Sequence, residues 1–375
     1  MGGKKPYIQG SVGNKLHQLI IFMKQRIEFI DLAKGICISL VVYSHVYMGD
    51  HPKFMEFQDY FRMPLYFILS GMFFKTYEGF ASFAVKKINK LIIPLLCGFV
   101  FLSIPMMYYL QHREGLPIIF PDDFWQSERV RFIFKGNGTL WFLWALFLQN
   151  LIFYSIFLLC RRMTLPIVIT CAIFGIVTFW LGQHNIFIPL WLDSALVTLP
   201  FFMTGYLLRH YSNILYEPFR MKQWTLSVVS LLLLILTYLY DSKLGSLSNI
   251  LLHGDNHFEI SCVSMYLGGF CGTLFILMLS KRLTRLPVIS YIGRYSIVVL
   301  LTHVVIIQFL RKALYHFPIN MAYIDLIMFG LFILVILIEL PLIHIGVKYL
   351  PYMFAQKDLI KLSTGFYKQK QPSDI

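Results

Sequence analysis

Long apolar runs alternate with short polar and basic stretches from about residue 30 to residue 345. A helix needs about 20 mostly apolar residues to cross the hydrocarbon core of a bilayer. Ten runs meet or approach that length: Ile30–Tyr47, Phe61–Phe74, Ile88–Leu110, Leu140–Leu159, Leu165–Leu181, Ile188–Leu208, Trp224–Tyr240, Ile260–Leu279, Val288–Leu310 and Ala322–Ile345. The second is short and carries Pro64. The pattern predicts an all-α, polytopic membrane helix bundle of about ten transmembrane helices. One transmembrane domain over 30–346 is expected between an N-terminal segment, 1–29, and a C-terminal tail, 347–375.

Composition agrees. The chain is 57% hydrophobic and 14% charged, with a mean hydropathy of +0.66, whereas soluble domains carry about a quarter charged residues. The six cysteines lie in or beside apolar runs and form no C-x-x-C pair, so they read as buried small hydrophobes. No short apolar segment with a small-residue cleavage site precedes the first run, and no cleaved signal peptide is expected.

Charge orients the bundle. The formal net charge is +14, and the cations fall in short stretches between the runs. With the N-terminus inside, 23 of the 33 lysines and arginines are cytoplasmic, nine are on or near the far side, and Lys34 lies within the first span. Cytoplasmic loops favour Lys and Arg in this way, so both termini are expected in the cytoplasm, against anionic lipid. No basic patch interleaved with exposed aromatics is present, so no nucleic-acid partner is expected.

The candidate chemistry sits in the first span. Arg26, Asp31 and Lys34 precede or open it and His45 closes it. At about 100° per residue, Lys34 and His45 share a helix face, about 16 Å apart along the axis, with Asp31 one turn before Lys34. Charges in a membrane span are costly and mark function by default. The bland alternative is an interfacial anchor, with Arg26 and Lys34 reaching lipid phosphates and Asp31 paired to Lys34. Alone, His45 would read as a hydrogen-bonded core histidine. Asp193 and Glu339 are further polar residues inside runs. Trp141 and Trp144 suit an aromatic belt or sugar stacking. His253, Asp255, His257 and Glu259 alternate in a loop, which is not a metal-ligand spacing, and no metal is expected.

These residues resemble the acyltransferase-3 family of membrane acyltransferases, whose pattern opens with Arg, Asp, Arg or Lys, ten residues and His. Here those positions are Arg26, Asp31, Lys34 and His45. The family's Met-Pro and Ser-Gly signature resembles Met63-Pro64 with Ser70-Gly71. Leu140 to Ala145, Pro200 to Tyr206, and Ile292 to Ser296 with His303 follow in the family's order. Where many members have His before Met-Pro, this chain has Arg62, which could bind an anion but is no base at neutral pH.

The resemblance implies an O-acyltransferase that takes its acyl group from acyl-CoA, acetyl-CoA by default, as co-substrate. It implies transfer to a hydroxyl of a cell-envelope glycan or lipid-linked sugar at a plasma (inner) membrane. His45 with Asp31 is the expected catalytic set, and Arg26, Lys34 and Arg62 are expected to attract the coenzyme phosphates. His45 suits either a general base or a transient acyl-imidazole. A transporter or flippase for a lipid-linked saccharide is the competing reading, since ten spans and inner charges suit it equally.

Overall fold

The computed structural model describes residues 27–47, 53–77, 79–106, 109, 139–184, 186, 188, 190–212, 220–241, 261–314 and 323–361. Arg26 and the loop holding His253, Asp255, His257 and Glu259 lie outside the described residues. Among the described residues the chain is helical, without strands.

The helices, in order, are α1 (Glu28–Val46), α2 (Lys53–Arg62), α3 (Pro64–Met72), α4 (Phe80–Met106), α5 (Trp141–Leu159), α6 (Thr164–Gln183), α7 (Leu192–Val197), α8 (Leu199–Tyr211), α9 (Met221–Asp241), α10 (Cys262–Leu283), α11 (Pro287–Arg294), α12 (Ser296–Leu314) and α13 (Ile324–Tyr349). Eight of them are long and apolar enough to cross a membrane: α1, α4, α5, α6, α9, α10, α12 and α13. The chain is a polytopic membrane helix bundle.

Two of the ten expected spans are broken rather than continuous. The second divides at Met63, where Pro64 supplies no N–H and opens α3. The sixth divides at Thr198 between α7 and α8, after Leu190 and Trp191 at φ 61° and 60°. Backbone freed inside a bundle needs side-chain partners. Thr198 Oγ1 donates to the Ser194 carbonyl at 2.7 Å while accepting from Gln149 Nε2 at 2.8 Å, and Trp144 Nε1 donates to the Leu190 carbonyl at 2.8 Å. The ninth expected span begins later as a continuous helix, because α11 stops at Tyr295 before α12. The third begins earlier: α4 runs from Phe80, through wider turns at Ile88–Ile92 and Phe99–Ser103.

Lipid tails give helices no hydrophobic drive to associate, so close backbone approach through small residues carries the packing. α3 and α8 cross on a reciprocal glycine pair. A Cβ on Gly71 would lie 1.8 Å from the Phe202 carbonyl oxygen, and one on Gly205 would lie 1.8 Å from that of Ile68. Gly35 of α1 and Gly293 of α11 repeat the device, at 1.9 Å from the Ile289 oxygen and 1.8 Å from the Asp31 oxygen. These contacts lock α1 and α3 into the centre, while α6, α9 and α13 turn large apolar side chains outward, among them Ile173, Leu236 and Leu337.

Candidate active site

α1 carries the candidate residues along one face, and the structure gives its two ends different partners. At the first turns, Arg294 Nη2 donates to Glu28 Oε1 at 3.1 Å and Arg294 Nε to Asp31 Oδ2 at 3.4 Å. Asp31 is buried, and a buried carboxylate needs such a partner. Fourteen residues of helix separate Asp31 from His45, about 21 Å of rise. Asp31 therefore stands well away from the imidazole along α1, and its carboxylate ties α1 to α11.

Beyond Asp31 lies a cavity of about 540 Å³. Lys34, Lys87 and Lys90 stand on its wall, together with apolar side chains that include Val41, Leu146 and Leu300. The Tyr66 hydroxyl, also on the wall, donates to the Lys34 carbonyl at 2.9 Å. Ser70 on the same wall accepts from Asn150 Nδ2 at 3.2 Å. Along α1 the lining runs from Lys34 to Val41, about 10 Å, and stops one turn short of His45. Lys87 and Lys90 face it because the wider turn at Ile88–Ile92 changes the helical phase of α4.

A C-terminal strap, residues 350–361, crosses the same part of α4. Asn89, fully buried, pairs with both backbone groups of Ile360: its Nδ2 donates to the carbonyl at 3.0 Å, and its Oδ1 accepts from the N–H at 2.9 Å. Lys90 Nζ donates to the Ala355 carbonyl at 2.6 Å, and Lys86 is paired with Asp358. Burial alone would raise the Asp358 carboxyl, but the Lys86 hydrogen bond and the Lys90 and Lys86 charges hold it below the usual carboxylate value.

At the other end of α1, His45 meets His303 of α12, with ring centroids 5.2 Å apart and planes tilted by 59°. His303 is fully buried, and its Nδ1 lies 2.6 Å from the Val299 carbonyl oxygen. A carbonyl only accepts, so Nδ1 carries the proton and Nε2 holds a lone pair. Ser44 Oγ donates to the Val41 carbonyl at 2.9 Å and lies 3.4 Å from His45 Nδ1. Its one proton being used, Ser44 offers the His45 ring an acceptor, and the neutral tautomer with its proton on Nδ1 keeps Nε2 as a base or a nucleophile. Arg311 Nη2 fixes the backbone here, lying 2.7, 3.0 and 2.6 Å from the carbonyl oxygens of His45, Val46 and Tyr47.

The remaining candidates sit elsewhere. Arg62 ends α2, buried, with Nη2 2.5 Å from Asp59 Oδ1, one residue before Met63 of the cavity wall. Asp193 accepts from the Ser194 N–H at 2.7 Å at the start of α7. Glu339 is fully buried and accepts from Thr302 Oγ1 at 2.7 Å, beside His303. Trp141 is buried and stacks on Trp191 with ring centroids 5.4 Å apart, which makes it part of the core and no belt residue. Sequence reasoning gave no role to Lys87, Lys90, His303 and Arg311, although the signal for Lys87 and Lys90 was present in their position beside an apolar run.

A family profile described as an acyltransferase domain, that of the acyltransferase-3 family, matches residues 27–343. No curated protein matches the chain, and no solved structure does.

Proposed function

The chain belongs to the acyltransferase-3 family and is a membrane acyltransferase, and from that premise we propose that it transfers an acyl group from a coenzyme A thioester to a hydroxyl of a glycan or lipid-linked sugar. The observation that carries this reading is the cavity of about 540 Å³, with three lysines on its wall and its α1 lining ending one turn from His45. Coenzyme A is polyanionic with a long neutral arm. Lys34, Lys87 and Lys90 suit its phosphates, and the apolar wall suits the arm that delivers the thioester. By the distribution of Lys and Arg, the donor enters from the cytoplasm of a plasma membrane and the acceptor meets His45 from the opposite side.

A hydroxyl is a poor nucleophile until its proton is removed. His45 Nε2 takes that proton as the hydroxyl oxygen bonds to the thioester carbonyl carbon. The C–S bond breaks, and the proton passes to the departing thiolate to give free coenzyme A. Asp31 and Arg294 hold the donor end of α1, and Arg311 holds the end that carries the imidazole. Arg62, compensated by Asp59, is a further cation near the donor path.

The test is transfer of label from acetyl-CoA, and then succinyl-CoA, into envelope glycans and lipids by membranes holding the protein or His45→Ala. Label in a carbohydrate fraction with the unmutated protein alone supports the reading. No label from either donor, with the protein shown to be inserted, overturns it in favour of a saccharide transporter.

A further inference from the structure

The C-terminal strap holds one of the lysines that suit the coenzyme. Lys90 stands on the cavity wall, yet its Nζ already donates to the Ala355 carbonyl at 2.6 Å and lies 3.4 Å from Asp358 Oδ1. The other oxygen of that carboxylate is paired with Lys86, one turn earlier on α4. Asp358 is thus an anion seated between two cations, one of which faces the cavity. Asn89, fully buried between those lysines in the chain, takes both backbone groups of Ile360 and fixes the register of the strap on α4.

The strap is also held under strain. Ala355, whose carbonyl Lys90 holds, has φ 57°. In that left-handed region a Cβ crowds the following carbonyl oxygen, and glycine alone enters it freely. A residue keeps such a conformation only where the contacts around it impose it. The ties to Lys90, Asn89 and Lys86 impose it here, and their release would relieve it.

Carboxylate and phosphate draw on the same donors. A lysine ammonium is a point charge that binds either, and a phosphate brings more negative charge and more acceptor oxygens than a carboxylate. We propose that the strap is a built-in competitor of the acyl-CoA donor: Asp358 occupies a phosphate subsite formed by Lys86 and Lys90, and coenzyme binding displaces the strap. This rests on the acyl-CoA reading and deepens it, adding Lys86 to the donor site. The coupling is reciprocal, so the factor by which closure weakens coenzyme binding is the factor by which bound coenzyme weakens closure. The apparent affinity for the donor is reduced by the fraction of molecules whose strap is open.

Three variants shift closure without removing a lysine. Asp358→Asn removes the anion, and Asn89→Ala removes the latch on Ile360 with no change of charge. Each is expected to lower the KM for acyl-CoA about fivefold, with kcat within about twofold. Ala355→Gly removes the strain that favours opening and is expected to raise that KM about threefold. All are first checked for monodisperse, membrane-extracted protein. A KM unmoved by all three, moved by Asp358→Asn alone, or lowered by Ala355→Gly overturns the proposal and leaves the acyl-transfer reading standing.

The second measurement needs no turnover. Met353, buried at the start of the strap, is replaced by cysteine, and its labelling by a maleimide is followed as S-methyl-coenzyme A, which has no free thiol, is added. Labelling is expected to quicken about tenfold at saturation, whereas S-methyl-pantetheine, the neutral arm without the phosphates, leaves it unchanged. Equal quickening by both compounds, or unchanged labelling in a protein that transfers label, overturns the proposal alone. Unchanged labelling in a protein that transfers none removes it together with the acyl-transfer reading. Quickening by S-methyl-coenzyme A alone, without transfer, supports the competition and overturns acyl transfer.

Discussion

Arg311 Nη2 of α12 lies 2.7 Å from the His45 carbonyl oxygen and within 3.0 Å of the next two, closing the end of α1. The last carbonyls of a helix have no partner within it, and a cation is favoured at that end. The contact therefore fixes where the imidazole stands. Arg311→Met is expected to lower kcat by at least tenfold, to leave the KM for the donor nearly unchanged, and to cost about 1.5–3 kcal/mol of stability. Initial rates and thermal unfolding of detergent-extracted protein measure the two effects.

The reciprocal glycines of α3 and α8 predict a sharper failure. A single methyl at Gly71 or Gly205 would enter a carbonyl oxygen at 1.8 Å, and backbone cannot yield as a side-chain tip can. Gly71→Ala and Gly205→Ala are each expected to lose about 1–3 kcal/mol or more and most of the monodisperse yield. Gly330→Ala is the control, since nothing lies within 4 Å of its added Cβ; its yield should not fall.

How much of this was legible follows from what each signal measures. Apolar run length placed α1, α5, α6, α9, α10 and α13 within a few residues, because each buries or exposes its full length in apolar surroundings. Run length does not register a break in backbone hydrogen bonding, so α2–α3 and α7–α8 read as single spans; only Pro64 and Pro200 hinted otherwise. The His45–His303 contact joins residues 258 apart in the chain, a distance no local pattern spans. Asp31 was placed with His45 in the expected catalytic set on the strength of the family resemblance, and no local pattern shows that its carboxylate meets Arg294, 263 residues away. Lys87 was counted as a loop cation because hydropathy begins α4 at Ile88, whereas the helix starts at Phe80, and Lys90, at the opening of that run, was counted with it as cytoplasmic.

The strap should respond to acid. The Asp358 carboxyl is held below its ordinary value of 3.8 by the lysines, against the opposing effect of burial. A carboxylate lowered in the folded state contributes stability above its unfolded value, and that contribution is lost as pH falls through the folded one. Closure of the strap is thus expected to hold above about pH 4 and to loosen below it. Asp358→Asn should loosen it at neutral pH and abolish the acid dependence. Thiol labelling of Met353→Cys, at a strap position buried against the bundle, reads the opening; labelling that is the same with and without Asp358→Asn at every pH would contradict the assignment.

Lys87 and Lys90 allow donor binding to be separated from chemistry. Both line the cavity from α4, opposite Lys34 of α1, and neither is near the His45–His303 contact at the far end of α1. If they hold phosphates, their loss weakens ground state and transition state alike, which raises KM and spares kcat. Each of Lys87→Ala and Lys90→Ala is expected to raise the KM for acyl-CoA about tenfold, with kcat within twofold, since a charge-assisted hydrogen bond is worth about 1.5–3 kcal/mol. The difference from the unmutated protein should shrink as salt screens the cations. A short acyl thioester of N-acetylcysteamine carries the reacting bond without the phosphates. On that donor the unmutated and lysine variants should turn over at the same rate, both slowly, because neither has anything left for the lysines to hold. A lysine variant that is equally impaired on both donors would place these side chains in the folding or the chemistry of the bundle and remove them from coenzyme recognition.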